Sequence, residues 1–137
     1  MDYLLDTNIL LAYIRQNEIC DRIDSEYNPL CESCTPVISV VTVGEIKSIG
    51  IRNKWGKSKL NQLDTLLGRF LIADINVKSI ITKYSEIDNF SQKKDKNSPT
   101  PFTSRKLGKN DLWIAATASV LEIPLLTTDR DFVHLDN

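Results

Sequence analysis

Apolar residues fall into two rhythms along this chain, and the rhythms alternate. Short continuous runs rich in Leu, Ile and Val mark buried strands, and longer stretches with apolar residues three and four apart mark helices. "YLLD" at 3–6 reads as a strand, and "TNILLAYIRQ" behind it puts Ile9, Leu10, Tyr13 and Ile14 on one helical face. Residues 18–30 are mixed and read as a second short helix ending before Pro29. "TPVISVVTV" at 35–43 is β-branched and follows a proline, which predicts a strand. It runs into "TVGEIKSIGIRNKW", where Val41, Glu45, Ile49 and Arg52 share one helix face. "KSKLNQLDTLLGRF" at 57–70 is an amphipathic helix through Leu60, Leu63, Leu66 and Leu67, and "FLIADINV" at 70–77 is a strand. A helix over 78–94 turns Ile80, Ile81, Tyr84, Ile87 and Phe90 inward. The stretch 93–109 is polar and basic with two prolines, and reads as a loop. "NDLWIAATASVLE" at 110–122 is a helix that Asn110 caps, with Asp111 in its first turn. "IPLLTTD" at 123–129 is a short strand, and "DRDFVHLDN" closes with a turn and a last extended segment.

Strands alternating with helices predict an α/β fold: a three-layer α/β/α sandwich around a central, mostly parallel sheet. With 137 residues and no internal repeat, the expectation is a single domain over 1–137. The formal net charge of −1 excludes nucleic-acid binding by bulk charge, so any such binding needs a local patch. Three cysteines, Cys20, Cys31 and Cys34, are too few and odd in number for a secreted disulfide scaffold. "CESC" at 31–34 lacks two nearby ligands for a zinc site, because Cys20 and His134 are distant, so the cysteines read as surface or core thiols. Asp2, Asp6 and Asn8 interrupt the apolar start, which fits neither a signal peptide nor a membrane span. A cytoplasmic protein with no membrane partner is expected. His134 is the only histidine, against Ser–His or Cys–His catalysis, and five scattered glycines form no phosphate loop.

In open parallel sheets, ligands bind beyond the carboxyl ends of the strands. The strands ending at Asp6 and Asp129 finish in an acid at that edge, a third leads into the helix carrying Glu45, and the helix feeding the last strand starts near Asp111. Singly, each has an ordinary explanation: Asp6 a helix cap, Asp111 a first-turn acid, Asp129 a turn residue, Glu45 a partner for Arg52. Together, Asp6, Glu45, Asp111 and Asp129 repel one another and lose hydration unless a cation joins them. Carboxylate oxygens suit Mg²⁺ or Mn²⁺, which can activate water and stabilise charge on a phosphoryl oxygen. The chemistry that follows is phosphodiester hydrolysis. Thr127 and Thr128 stand where they can orient a water or a metal-bound oxygen, and Asn8 where it can hydrogen-bond a carboxylate across the site. Lys93, Lys94, Lys96, Arg105, Lys106 and Lys109 surround Phe102 just before Asp111, a pattern suited to phosphate contacts and one stacked base of single-stranded RNA. A second basic group, Arg52, Lys54, Lys57 and Lys59, flanks Trp55, either as an RNA or protein contact or as a solvated helix junction.

The ordered set "LLDTNILL", "SVVTVGEI", "NDLWIAATA" and "LLTTDRDF" resembles the motifs of PIN-domain ribonucleases, especially the VapC-type toxins of toxin–antitoxin systems, over nearly the whole chain. The resemblance implies an Mg²⁺- or Mn²⁺-dependent endoribonuclease. By motif position its metal-binding acids fall on Asp6, Glu45, Asp111 and Asp129, with Asp131 a further ligand in the same "DRDF". It also implies an RNA substrate, a cognate antitoxin and a homodimer. Ile46 after Glu45, where the family often has Leu, and the length of the basic stretch are departures that bear on substrate preference. Two rivals remain: a catalytically silent PIN-like scaffold that binds RNA or protein, and a haloacid-dehalogenase-like phosphatase. The second needs an acid two residues after Asp6, where this chain has Asn8.

Overall fold

Strand β1 (Leu4–Leu5) is only two residues long, yet it lies at the centre of the molecule. In this computed structural model residues 2–97 and 108–127 are described, the side chains of 92–97 excepted. The order is β1, α1 (Thr7–Arg15), α2 (Glu18–Glu26), β2 (Val37–Ser39), α3 (Val40–Arg52), α4 (Lys57–Leu67), β3 (Leu71–Ala73), α5 (Lys78–Asn97), α6 (Lys109–Leu121) and β4 (Leu125–Leu126). The strands form one sheet in the order β3-β2-β1-β4, and every pairing is parallel. Leu4 pairs with Val37 and Leu125, and Leu5 with Leu126.

The two-residue period of a strand divides the core between the faces of the sheet. Leu4 and Val37 pack with Ile114 and Ala118 of α6, and Leu125 joins them. One residue on, Leu5, Ile38 and Leu126 face the opposite side, against Ile9 and Leu10 of α1, Ile23 of α2, Ile46 of α3 and Leu63 of α4. Sheet residues buried on both faces explain why these strands read as continuous apolar runs rather than alternating ones. Helix α5 packs on α6, where Tyr84 and Trp113 stack with centroids 4.1 Å apart. The expected three-layer α/β/α sandwich is therefore the observed fold.

Several sequence expectations need correction. The strand expected over 35–43 stops at Ser39, whose Oγ accepts from Val41 N–H and starts α3. The β-branched Val40–Val43 segment is helical because burying Thr42 and Ile46 outweighs strand propensity. The strand expected over 70–77 is three residues long, and the one over 123–129 is two within the described residues. Helix α6 starts from Gly108, not Asn110, which sits within its first turn. Helix α5 reaches Asn97, so the expected loop over 93–109 is partly helical. Ile81 and Phe90 are exposed rather than inward, unlike Ile80. Cys31 and Cys34 are not free thiols: they form a disulfide, with Cα atoms 5.1 Å apart. Cys20 is the free, buried cysteine. No helix among the described residues is long and apolar enough to cross a membrane.

Toward the end of α1, away from its Asp6 cap, Tyr13 donates to Asp24 Oδ1 at 2.7 Å and ties α1 to α2. Burial, reinforced by that bond to a carboxylate, pushes the Tyr13 phenol well above its ordinary range. The group stays protonated and is a structural donor.

Candidate functional site

Because the four strands among the described residues run parallel, their carboxyl ends share one edge, and three of the expected acids lie on elements that meet it: Asp6 after β1, Glu45 on α3 and Asp111 at the start of α6. Asp6 follows β1 directly and is 4% exposed. Its extended backbone makes it the N-cap of α1, and its Oδ1 accepts from Ile9 N–H at 3.1 Å. Its Oδ2 accepts from the Thr127 hydroxyl at the end of β4. A carboxylate buried this deeply needs such donors. The cap and the functional reading of Asp6 are thus served by one side chain, with both oxygens oriented by neighbours.

Glu45 lies on α3, one turn and a half beyond the end of β2. Its Oε1 accepts from Thr7 Oγ1 at 2.7 Å. Thr7 is buried, adjacent to Asp6, and therefore links the two acids across the space between α1 and α3. The alternative partner for Glu45, Arg52, makes no ion pair with it; among the described residues the ion pair is Lys83 with Glu86. Asp111 sits in the first turn of α6, half-buried, with its Oδ2 3.7 Å from where a Cβ on Gly108 would lie. Helix α6 runs back against the sheet before β4, so its start faces the same edge as Glu45. Asn110, the residue before Asp111, lines one groove with Glu45.

The other candidates divide clearly. Thr127 is at the site through Asp6. Asn8 is exposed and makes no hydrogen bond to a carboxylate among the described residues, so its expected role across the site is not observed. Lys109 is exposed at the start of α6. Thr128, Asp129, Asp131, Phe102, Arg105 and Lys106 lie outside the described residues, as do the side chains of Lys93, Lys94 and Lys96. Thr7 is the residue that sequence reasoning missed. Its only signal was its place between an acid and an apolar helix face.

Among the described residues no three His, Cys, Asp or Glu side chains gather closely enough to hold a metal ion together. The donor chemistry at the edge nevertheless fits a hard divalent cation. Among the described residues it consists of the carboxylates of Asp6, Glu45 and Asp111 and the hydroxyls of Thr7 and Thr127.

The PIN domain family model matches residues 3–137. No curated protein matches the sequence. Among solved structures, VapBC2 from Rickettsia felis, bound to a DNA fragment from its promoter, has a chain 25% identical to this one. It aligns with a TM-score of 0.78 over 99% of this chain and 94% of that one. A chain of VapBC-1 from nontypeable Haemophilus influenzae is 24% identical, with a TM-score of 0.71 over 98% and 92%. A chain of FitAcB from Neisseria gonorrhoeae is 23% identical, with a TM-score of 0.70 over 98% and 93%.

Proposed function

Because this chain belongs to the PIN domain family, we propose that it is a VapC-type endoribonuclease, which hydrolyses RNA phosphodiester bonds with Mg²⁺ or Mn²⁺ as the toxin of a toxin–antitoxin pair. The observation that carries this reading is the Thr7–Glu45 hydrogen bond, which joins the acid-bearing end of β1 to the acid-bearing face of α3. The names VapBC and FitAcB of the neighbours support a partner antitoxin. A homodimer and a cytoplasmic location belong to the same reading.

Asp6, Glu45 and Asp111 would hold the metal, with Asp129, and Asp131 beside it, completing the set by motif position. When bound, the metal supplies Lewis-acid stabilisation of phosphoryl charge and acidifies water. The chain's own contribution is orientation. Ile9 N–H and Thr127 Oγ1 fix the Asp6 carboxylate, and Thr7 Oγ1 fixes Glu45. Bonds of this kind, made to groups that ligate or react, typically govern metal affinity or activity by about 10–100-fold.

Two measurements follow. Purified protein, freed of any partner, is expected to cut mixed RNA with Mn²⁺ and to stop when a chelator is added. RNA left intact in Mn²⁺ would replace the nuclease reading with the silent scaffold. Thr7→Val keeps the shape of the side chain and removes its donor. It is expected to lower cleavage by about 10–100-fold while costing only about 1–2 kcal/mol of stability, measured by chemical unfolding. An equal loss of both, with unfolding at the assay temperature, would make Thr7 merely structural.

A further inference from the structure

The groove that begins at Glu45 extends well beyond the acids. It has a volume of about 490 Å³ and is lined by Val41, Gly44, Glu45, Ser48, Ile49, Arg52 and, across from α3, Asn110. Its polar groups are ordered: the acid stands near the sheet edge, and the cation stands at the last turn of α3. Glu45 and Arg52 are seven residues apart, about 10 Å along the helix. No acid among the described residues pairs with Arg52.

The middle of the groove is bare. Gly44 lies inside a helix, where glycine is unfavourable, yet a Cβ added there would meet nothing within 4 Å. Packing therefore does not require this glycine, and its missing side chain leaves the floor open between acid and cation. The nearby Trp55 is not a stacking platform. It packs on Gly50, where a Cβ would come within 3.0 Å of its ring, and Lys59 lies over it at 5.2 Å. Of the basic group around Trp55, Arg52 alone lines the groove.

We propose that this groove is the track for the RNA strand flanking the bond that is cut, with Arg52 holding a phosphate of that strand. Arg52 stands about 10 Å further along the helix axis than Glu45, on the flanking part of the groove, and takes a phosphate neighbouring the one that is cut. Gly44 gives the sugar–phosphate chain its close approach, and the Ser48 hydroxyl and Asn110 amide supply neutral donors along the way. The end point at Glu45 rests on the nuclease reading; the binding test does not.

The test uses the Asp6→Asn chain in chelator, so that nothing is cut, and a fluorescent oligouridylate of about ten nucleotides. Affinity is measured by anisotropy across about 50–200 mM salt. Arg52→Gln is expected to weaken binding roughly fivefold to tenfold at low salt and to flatten the log–log salt slope by about 0.7, the signature of one lost phosphate contact. Gly44→Leu is expected to weaken binding without lowering Tm. Lys47→Gln, an exposed cation on α3 outside the groove, is the matched control and should leave both quantities nearly unchanged. Equal effects of Arg52→Gln and Lys47→Gln, or no RNA binding at all, overturn the proposal. Arg52-dependent binding in a wild type that fails to cut RNA with Mn²⁺ would leave the groove standing and remove only the nuclease reading.

Discussion

Asp6→Asn is expected to lower RNA cleavage by about a hundredfold or more and to leave the fold nearly as stable as before. The separation is possible because Asp6 combines two tasks that need different chemistry. Capping α1 needs an acceptor for Ile9 N–H, and Asn serves as well as Asp there. Holding a divalent cation needs charge, which Asn lacks. Asp6→Ala removes both and is expected to cost about 1 kcal/mol in addition. The check is a pair of measurements on each variant: cleavage of mixed RNA in Mn²⁺, and thermal unfolding without metal. Cleavage that survives Asp6→Asn would sink the assignment of this residue. A large fall in Tm for Asp6→Asn would show that its charge serves the fold.

Leu5→Ala is expected to have the largest effect on stability, about 2–5 kcal/mol, a large share of the roughly 5–15 kcal/mol that holds a domain of ordinary size together. Leu5 is 0% exposed on the central strand, and its side chain reaches into the larger core cluster with Ile9, Leu10, Ile38 and Ile46. Helices α1 to α4 all pack on that cluster, so no single one can move to fill the cavity. The variant should lose about 10 °C or more in Tm, read by calorimetry or circular dichroism. Leu5 also immediately precedes Asp6, so cleavage should fall further than the folded fraction does. A loss under 1 kcal/mol would mean that the helices do collapse onto the gap.

The alternation of runs and periodic stretches made the architecture legible, and so did the acids at strand ends. What stayed hidden was decided by contacts distant in sequence. The helix period puts Val41, Glu45, Ile49 and Arg52 on one face, but not that α1 would bring Thr7 against Glu45. "VVTV" has strand propensity, and its helical state depends on the Ser39 cap and the burial of Ile46. Asn110 is the better cap by residue type, yet the helix starts two residues earlier, from Gly108. Two cysteines three apart suit a thiol pair or a disulfide alike, and only the turn between α2 and β2 brings Cys31 to Cys34. Asp129 and Asp131 were legible as motif acids and lie outside the described residues.

Strand β3 has a consequence for how the isolated chain behaves in solution. Among the described residues it ends the row of strands beside β2, and Leu71 and Ile72 are 60% and 47% exposed. An apolar strand at a sheet border is a template on which another molecule can add a strand. A formal charge of −1 and a pI near 5.8 give little repulsion between molecules at neutral pH. Colloidal stability therefore rests on the shortness of β3, whose three residues offer few unpaired backbone groups, and on buffers alkaline enough to raise the net negative charge.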